Sequence, residues 1–179
     1  IERQSGEVVS TLDLAPGFIL PHPTKPLFYM TISFFQDKGD LIVYDIIKGK
    51  IVLSAPMPTN LDRLAFASYQ GELELLAPSA LGAEILRFDP ETLAQKGAIN
   101  SLFGARSIAV DPVHRLLFVG SLVTHRLEVV DLDSQQRLAS YYVGPWLRSL
   151  SLDVETGQAY LSTHEGLFTI QYSDLLQRK

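Results

Sequence analysis

Two arginines stand at matching places in two similar segments of the chain. Arg106 opens the segment RSIAVD and Arg148 opens RSLSLD, and a short apolar run follows each. Arg63 lies one residue out of register with them, just ahead of Leu64. A guanidinium group holds a carboxylate or phosphate by paired hydrogen bonds. The three arginines are therefore candidates for binding an anionic ligand. The alternative is that each ties its own segment to the next through loop carbonyls or an aspartate.

Trp146, His125 and His164 are the other candidate ligand-binding residues. An exposed indole can stack on a ligand or anchor a partner, and it can equally cap a core between sheets. The two histidines fall in corresponding loops, with Glu165 and Asp37 as potential neighbours. A metal site needs three or four ligands converging at about 2 Å, and no close-spaced ligand motif is visible. The histidines are expected to be solvated, and no metal is predicted.

The familiar catalytic signatures are absent from the sequence. There is no Gly-x-Ser-x-Gly elbow, His-Glu-x-x-His motif, Walker loop or Gly-x-Gly-x-x-Gly. Asp131-Leu-Asp133 resembles the opening of a calcium loop, but the central glycine and terminal glutamate are missing, which favours a hairpin turn. No catalytic residue and no cofactor is predicted.

The elements that position these residues are short strands. Between Arg106 and Gly144 lie four apolar runs, at 107–110, 116–119, 127–130 and 138–143, separated by turn residues. Runs of this length that are rich in Val, Leu, Phe and Tyr are typical of strands rather than helices. The stretch therefore predicts a four-stranded antiparallel meander.

The same pattern is repeated along the chain. Third-strand segments begin at Leu41, Ile85, Leu127 and Leu167, which are 44, 42 and 40 residues apart. First strands begin near Ile19, Leu64, Ile108 and Leu150. A period of about 40–45 residues with four strands per unit is typical of β-propeller blades, whose sheets must stack to bury both faces.

The second-strand segments carry a resemblance to a known family. Tyr29-Met-Thr-Ile32, Phe118-Val-Gly-Ser121 and Tyr160-Leu-Ser-Thr163 resemble the Tyr-Val-Thr-Asn of YVTN-type, or YncE-like and lactonase-like, repeats. In the second copy this position is assigned to Glu74-Leu-Leu-Ala77, which bears little of the pattern. The resemblance covers about residues 18–172. It implies an all-β, usually seven-bladed propeller, and it favours a secreted or periplasmic location, although the sequence does not fix the compartment.

The predicted blades span residues 18–60, 61–104, 105–146 and 147–179, and the last is expected to lack its fourth strand. Residues 1–17, with 8–14 as the strand, are expected to be the outer strand of a preceding or closing blade. Three arrangements fit this count: a closed four-bladed ring, a ring of about eight blades from two chains, or part of a longer propeller. The family's usual blade number favours the third.

Inter-blade loops and the loops joining second to third strands share one face of a propeller, around its central channel. Arg63, Arg106, Trp146, Arg148, His125 and His164 are all expected on this face, which is the predicted binding surface. His22 and His114 belong to turns on the opposite rim and are expected at the surface.

Charge and composition narrow the function classes. The net charge is −5 with no basic stripe, which argues against nucleic acid or an anionic membrane as the main partner. The longest apolar stretch is far shorter than the roughly 20 residues of a membrane span. The chain has no cysteine, so it can hold no disulfide and no covalent c-type haem.

Three functional hypotheses remain open at this stage. The first is a non-catalytic scaffold whose loop face binds a protein, a peptide or a small anionic ligand, alone or beside further blades from the same or another chain. The second is a lactonase-like enzyme acting at the channel mouth. The third is a subunit of a redox protein that carries a quinone or haem elsewhere. An enzyme requires converging titratable groups with perturbed acidity, whereas a binding module should expose an apolar or aromatic patch.

Overall fold

The structure is a computed structural model that describes residues 16–32, 39–57, 61–69 and 71–178, together with residue 11. Within these ranges the chain forms fifteen strands and one 3-10 segment, Ser173–Arg178. The strands make four antiparallel sheets, named blades 1 to 4 in chain order. Apart from that short segment, the regular structure of the described residues consists of sheets.

Each blade is a meander in which strands adjacent in the chain are adjacent in the sheet, with four strands in blades 1 to 3 and three in blade 4. Blade 1 contains β1 (Pro16–Pro21), β2 (Leu27–Ile32), β3 (Gly39–Asp45) and β4 (Lys50–Met57). Blade 2 contains β5 (Ala65–Tyr69), β6 (Glu72–Ser79), β7 (Glu84–Phe88) and β8 (Gln95–Asn100). Blade 3 contains β9 (Ala105–Asp111), β10 (Leu116–Ser121), β11 (Arg126–Asp131) and β12 (Arg137–Tyr142). Blade 4 contains β13 (Ser149–Asp153), β14 (Gln158–Thr163) and β15 (Gly166–Gln171).

Aspartates at strand ends hold the tight turns. One carboxylate oxygen of Asp111 accepts hydrogen bonds from the backbone N–H groups of Val113 and His114, both at 2.9 Å. Asp131 does the same for Asp133 and Ser134, both at 2.8 Å. These contacts satisfy amides that have no partner within the sheet. The segment at Asp131 is thus a hairpin turn between β11 and β12, as the sequence indicates.

Alternating side chains of the middle strands are buried on opposite faces. In β10, Leu117 and Val119 pack against blade 2, whereas Leu116 and Phe118 pack against blade 4. All four are fully buried. The alternation follows from the two-residue period of a strand, and burial on both faces explains why the run is continuously apolar.

Three hydrophobic cores join consecutive blades. They lie between blades 1 and 2, between blades 2 and 3, and between blades 3 and 4. A fourth cluster, of Met30, Ile42 and Tyr44, contains side chains of blade 1 alone. Among the described residues, no core cluster contains side chains of both blade 1 and blade 4. The sheets therefore stack as an arc in which blades 2 and 3 bury both faces against their neighbours.

The predicted all-β propeller class is confirmed. The predicted second-strand segment of blade 2, Glu74-Leu-Leu-Ala77, was wrong by two residues. The pairing of β6 with β7 shows that Leu76-Ala-Pro-Ser79 is the segment equivalent to Phe118-Val-Gly-Ser121 of blade 3. Except for residue 11, the predicted strand at residues 8–14 lies outside the described residues, and the blade boundaries and the arrangement of a complete ring stay predictions. No helix in the described part of the chain is both long and apolar enough to cross a membrane.

Candidate functional site

The beginnings of the four innermost strands surround one cavity of about 320 Å³. Strand pairing shows that Ile19, Ile108 and Leu150 are equivalent positions, and the bridge between Leu61 and Ser79, which matches Ala105 with Ser121, places Leu64 at the same position. The residues two places before them, Gly17, Asp62, Arg106 and Arg148, all line the cavity. The lining is completed by Phe18, Arg63 and Leu147. One repeat position from every blade therefore faces the channel mouth, and this cavity is called the arginine pocket below.

Asp62 and Arg106 form an ion pair across the boundary between blades 2 and 3. The Asp62 side chain is only 13% exposed. Burial raises the pKa of Asp62, although the Arg106 charge opposes this effect. The Asp62 backbone carbonyl accepts a hydrogen bond from the Thr31 hydroxyl at 3.3 Å, so blade 1 also fixes this segment.

Arg63 links blade 2 to blade 4 across the channel mouth. Its Nη2 donates a hydrogen bond to the backbone carbonyl of Arg148 at 3.0 Å. Its guanidinium carbon lies 5.6 Å from the centre of the Phe18 ring, within the range of a cation–π contact. The residue that appeared out of register thus reaches the same cavity as its two in-register counterparts.

Arg148 lies against an aromatic side chain at the rim of the pocket. Its guanidinium carbon is 5.3 Å from the centre of the Trp146 ring. Trp146 is 51% exposed and has a positive φ of 57°, which turns the chain just before Arg148. Neither Arg63 nor Arg148 forms an ion pair with a carboxylate of the described residues.

The pocket carries an excess of positive charge because three guanidinium groups face a single carboxylate. Two of the arginines also make the structural ties that the sequence left as an alternative, Arg106 to Asp62 and Arg63 to a loop carbonyl. A structural tie and the binding of an anion are compatible roles for one arginine, since a guanidinium group has five N–H donors. The arrangement can accept a carboxylate or phosphate without an added cation, and a ligand-binding role for these residues stays a prediction.

His125 and His164 lie near the same rim but outside the pocket lining. The His125 ring is 6.5 Å from the Tyr142 ring, and its backbone carbonyl accepts from the Val143 N–H at 3.0 Å. His164 is exposed and donates its backbone N–H to the Pro145 carbonyl. Across the described ranges, no three histidine, aspartate or glutamate side chains are grouped so that they could hold a metal ion. Asp37 lies outside the described residues.

The expectation for His22 was wrong. It is in the β1–β2 turn, but it is buried between Tyr29 and Phe66, with ring centres 6.0 and 5.2 Å away. Its Nδ1 accepts hydrogen bonds from the backbone N–H groups of Thr24 and Lys25. Burial lowers the pKa of His22, so the neutral ring is favoured. The ring completes the core between blades 1 and 2 because the turn folds inwards on these hydrogen bonds.

Asp62 is the charged pocket residue that the sequence interpretation missed. The signal was present, because Asp62 stands at the same repeat position as Arg106 and Arg148. A search for recurring arginines selects Arg63 instead, one residue later. Aligning the four repeats and reading the residue at this position in each, whether or not it is an arginine, identifies all four equivalent residues of the pocket.

Comparisons with known proteins give a fold and no family. No family model matches the sequence, and no curated protein matches it. Among solved structures, a functionally unknown protein from Desulfotomaculum acetoxidans DSM 771 superposes with a TM-score of 0.73 at 14% identity, covering 88% of this chain and 52% of that one. Kuenenia stuttgartiensis hydrazine synthase superposes with a TM-score of 0.72 at 13% identity, covering 91% of this chain and 60% of that one. Saccharomyces cerevisiae Sqt1 superposes with a TM-score of 0.69 at 16% identity, covering 89% of this chain and 48% of that one.

This chain therefore spans about half the length of the structures that it resembles. One of these neighbours is named as a synthase and another is functionally unknown, and at 13–16% identity their likeness shows the fold alone, so it does not choose between binding and catalysis. What the sheets and the comparisons establish together is the fold: the chain is a β-propeller array of four consecutive blades.

Proposed function

We propose that this chain is a propeller module that binds a small anionic ligand in the arginine pocket. The observation that carries the proposal is the convergence of Arg63, Arg106 and Arg148, from three blades, on one cavity. A cavity of about 320 Å³ is at the lower end of the range for small-molecule sites. The resemblance to YVTN-type repeats fits this proposal, because those propellers also present loops around a central channel.

The charge balance supports an anion rather than a cation or a neutral molecule. Asp62 is the one carboxylate of the pocket lining, and Arg106 already neutralises it. Arg63 and Arg148 then provide the remaining positive charge, at the end of rigid strands that hold the site in place. A protein or peptide with an acidic side chain could present the same chemistry, but the size of the pocket favours a small molecule.

Trp146 provides a direct test of binding. It is the single tryptophan of the chain and lies against Arg148. Titration with succinate, inorganic phosphate and acetate should change its fluorescence in a saturable way, and added salt should weaken the effect. Arg148→Gln should lower the affinity about tenfold or more, since a hydrogen bond to a charged group contributes about 1.5–3 kcal/mol.

Lys50→Gln is the matched control, because Lys50 is an exposed cation at the start of β4, at the other end of blade 1. It should bind like the unchanged protein. Fluorescence that does not saturate with any of the three anions, or that responds equally in Arg148→Gln, would refute anion binding at this pocket.

A lactonase-like activity is the second candidate, and one observation favours it. Asp62 is a partly buried carboxylate of raised pKa in the same pocket, which is the kind of group that general acid or base catalysis uses. Hydrolysis of a panel of γ- and δ-lactones by the unchanged protein, and its loss in Asp62→Asn, would support this candidate. Equal rates in both proteins would exclude Asp62 as the acid or base.

A further inference from the structure

A second cavity of different chemistry adjoins the arginine pocket. It has a volume of about 310 Å³, and most of its lining is apolar: Leu61, Ala80, Leu81, Gly104, Leu122 and Val123. Asp62 and Arg106 line this cavity and the arginine pocket alike. The two cavities therefore meet at one ion pair. The second cavity is called the apolar groove below.

The groove walls are large apolar side chains that remain in water. Leu81 is 73% exposed and Val123 is 54% exposed, on the β6–β7 and β10–β11 loops of blades 2 and 3. Leu61 is buried beside them. Exposed aliphatic side chains that face one another across a groove leave apolar surface for a ligand to cover.

Backbone hydrogen bonds hold the groove open in a fixed shape. The Gly104 N–H donates to the Ala80 carbonyl at 2.9 Å, and the Leu122 N–H donates to the Gly104 carbonyl at 3.0 Å. The Ser121 hydroxyl donates to the Phe103 carbonyl at 2.8 Å. Gly104 has a positive φ of 74°, and a Cβ there would lie 2.5 Å from Val123 Cγ2. The inter-blade turn thus joins both loops, and only glycine fits at its centre.

We propose that the pocket and the groove together form one site for a small amphipathic monocarboxylate with a linear aliphatic chain. The proposal rests on the anion-binding function above and deepens it. The carboxylate would meet Arg63 and Arg148, and the chain would cross Arg106 into the groove. Arg106 suits this passage because the stem of an arginine side chain is apolar while its head is charged.

The backbone N–H groups of the groove already have hydrogen-bond acceptors within the protein, and this favours an aliphatic ligand over a peptide. The N–H groups of Gly104, Leu122 and Val123 all donate within the protein, the last to the Ser121 hydroxyl at 3.1 Å. A peptide laid in the groove would bury its own amides opposite groups that are already paired, which carries a desolvation cost. An aliphatic chain has no such groups to satisfy.

Calorimetric titration of the full chain with acetate, butyrate, hexanoate and octanoate tests the proposal. Affinity should rise with chain length by up to about fourfold for each methylene that enters the groove, from the usual transfer free energy of a buried methylene. Octanol, which lacks the charge, should bind at least tenfold more weakly than octanoate. Arg148→Gln should reduce octanoate affinity to a similar extent.

Variants of the apolar groove separate the contribution of the ligand's aliphatic chain to affinity from that of its carboxylate. Leu81→Ser and Val123→Ser should weaken octanoate severalfold and leave acetate unchanged. Ile47→Ser is the control, because Ile47 is an exposed aliphatic residue in the β3–β4 turn, at the opposite rim. It should bind octanoate with unchanged affinity.

The outcomes distinguish this inference from the function beneath it. Equal affinity for acetate and octanoate, both lost in Arg148→Gln, would overturn the groove assignment and leave anion binding intact. Equal affinity for octanol and octanoate would overturn the amphipathic carboxylate. Tighter binding of a short peptide that ends in leucine would replace the aliphatic ligand by a polypeptide C-terminus. Absence of binding by every anion would refute both proposals.

Discussion

At the scale of single residues, one repeat position determines the chemistry of the channel mouth. Gly17, Asp62, Arg106 and Arg148 occupy equivalent places in four blades and line one cavity. Glycine leaves space, the two arginines bring positive charge, and the aspartate fixes one of them. Their shared backbone position brings these four residues together, whatever the residue type in each blade. Variation at this one position can therefore change the charge of the cavity without changing the fold.

Asp62→Asn should strengthen the binding of small anions by about fivefold. The substitution removes a negative charge near the ligand, an effect of about 1 kcal/mol for partly screened charges. Because burial raises the pKa of Asp62, the unchanged protein should bind propanesulfonate more tightly as the pH falls through that pKa, when Arg106 loses its partner. Arg106 and Arg63 are the charges that act on Asp62 and do not titrate in this range.

Propanesulfonate stays ionised across this range, so its affinity reports on the protein alone. Asp62→Asn should abolish the pH dependence, whereas the control Asp133→Asn, at an exposed ion pair with Arg115, should retain it. A pH profile that is the same in Asp62→Asn and in the unchanged protein would assign the titration to another group.

At the scale of elements, buried aspartates in turns hold the strands in register. Asp111 ends β9, binds two backbone amides with one oxygen, and accepts hydrogen bonds at 2.8 Å from Tyr172 Oη and His114 Nδ1 with the other. Tyr172 follows the last strand of blade 4, so this contact joins blades 3 and 4. Burial acts to raise the pKa of Asp111, but the hydrogen bonds from His114 and Tyr172 outweigh it and hold the pKa below its ordinary value.

Asp111→Asn should lower the free energy of unfolding at pH 7 by about 1–2 kcal/mol, because charge-assisted hydrogen bonds become neutral ones. The folded-state pKa of Asp111 lies below its unfolded value, so its ionisation stabilises the fold fully above about pH 4. That contribution is lost as the pH falls through the folded-state pKa. Urea unfolding of both proteins between pH 7 and pH 2 should therefore show a difference that shrinks in acid. A constant difference at every pH would contradict this account.

Local sequence patterns predicted the strands well and the contacts between blades poorly. The meanders follow from apolar runs and turn residues within 40–45 positions, and Arg106 and Arg148 follow from the repeat. His22 was misplaced because its burial depends on Phe66 of the next blade. Leu81 and Val123 were not predicted as groove walls because their separation is set by the Gly104 turn between two blades. The Glu74 alignment failed because blade 2 carries a buried Glu74–Arg87 ion pair where blades 1 and 3 have apolar residues.

At the scale of the whole molecule, the candidate site exists only when the blades stack. Arg63, Arg106 and Arg148 come from blades 2, 3 and the approach to blade 4, and Phe18 comes from blade 1. Three cores, each shared by two neighbouring blades, hold these strands at fixed spacing. Repeat proteins are stabilised through such neighbour contacts, so the site and the stacking should be lost together. We therefore expect the proposed anion binding to require the stacked blades and to be absent from any single blade.

The most direct test of this account follows the arginine Nε–Hε signals by ¹H–¹⁵N NMR while succinate is added. The account predicts that Arg63, Arg106 and Arg148 shift together with one saturation curve. Arg126 and Arg137, which bind Ser140 and Glu128 within blade 3, should stay unchanged. Shifts of equal size at all five arginines, or no saturable shift at the three pocket arginines, would contradict it.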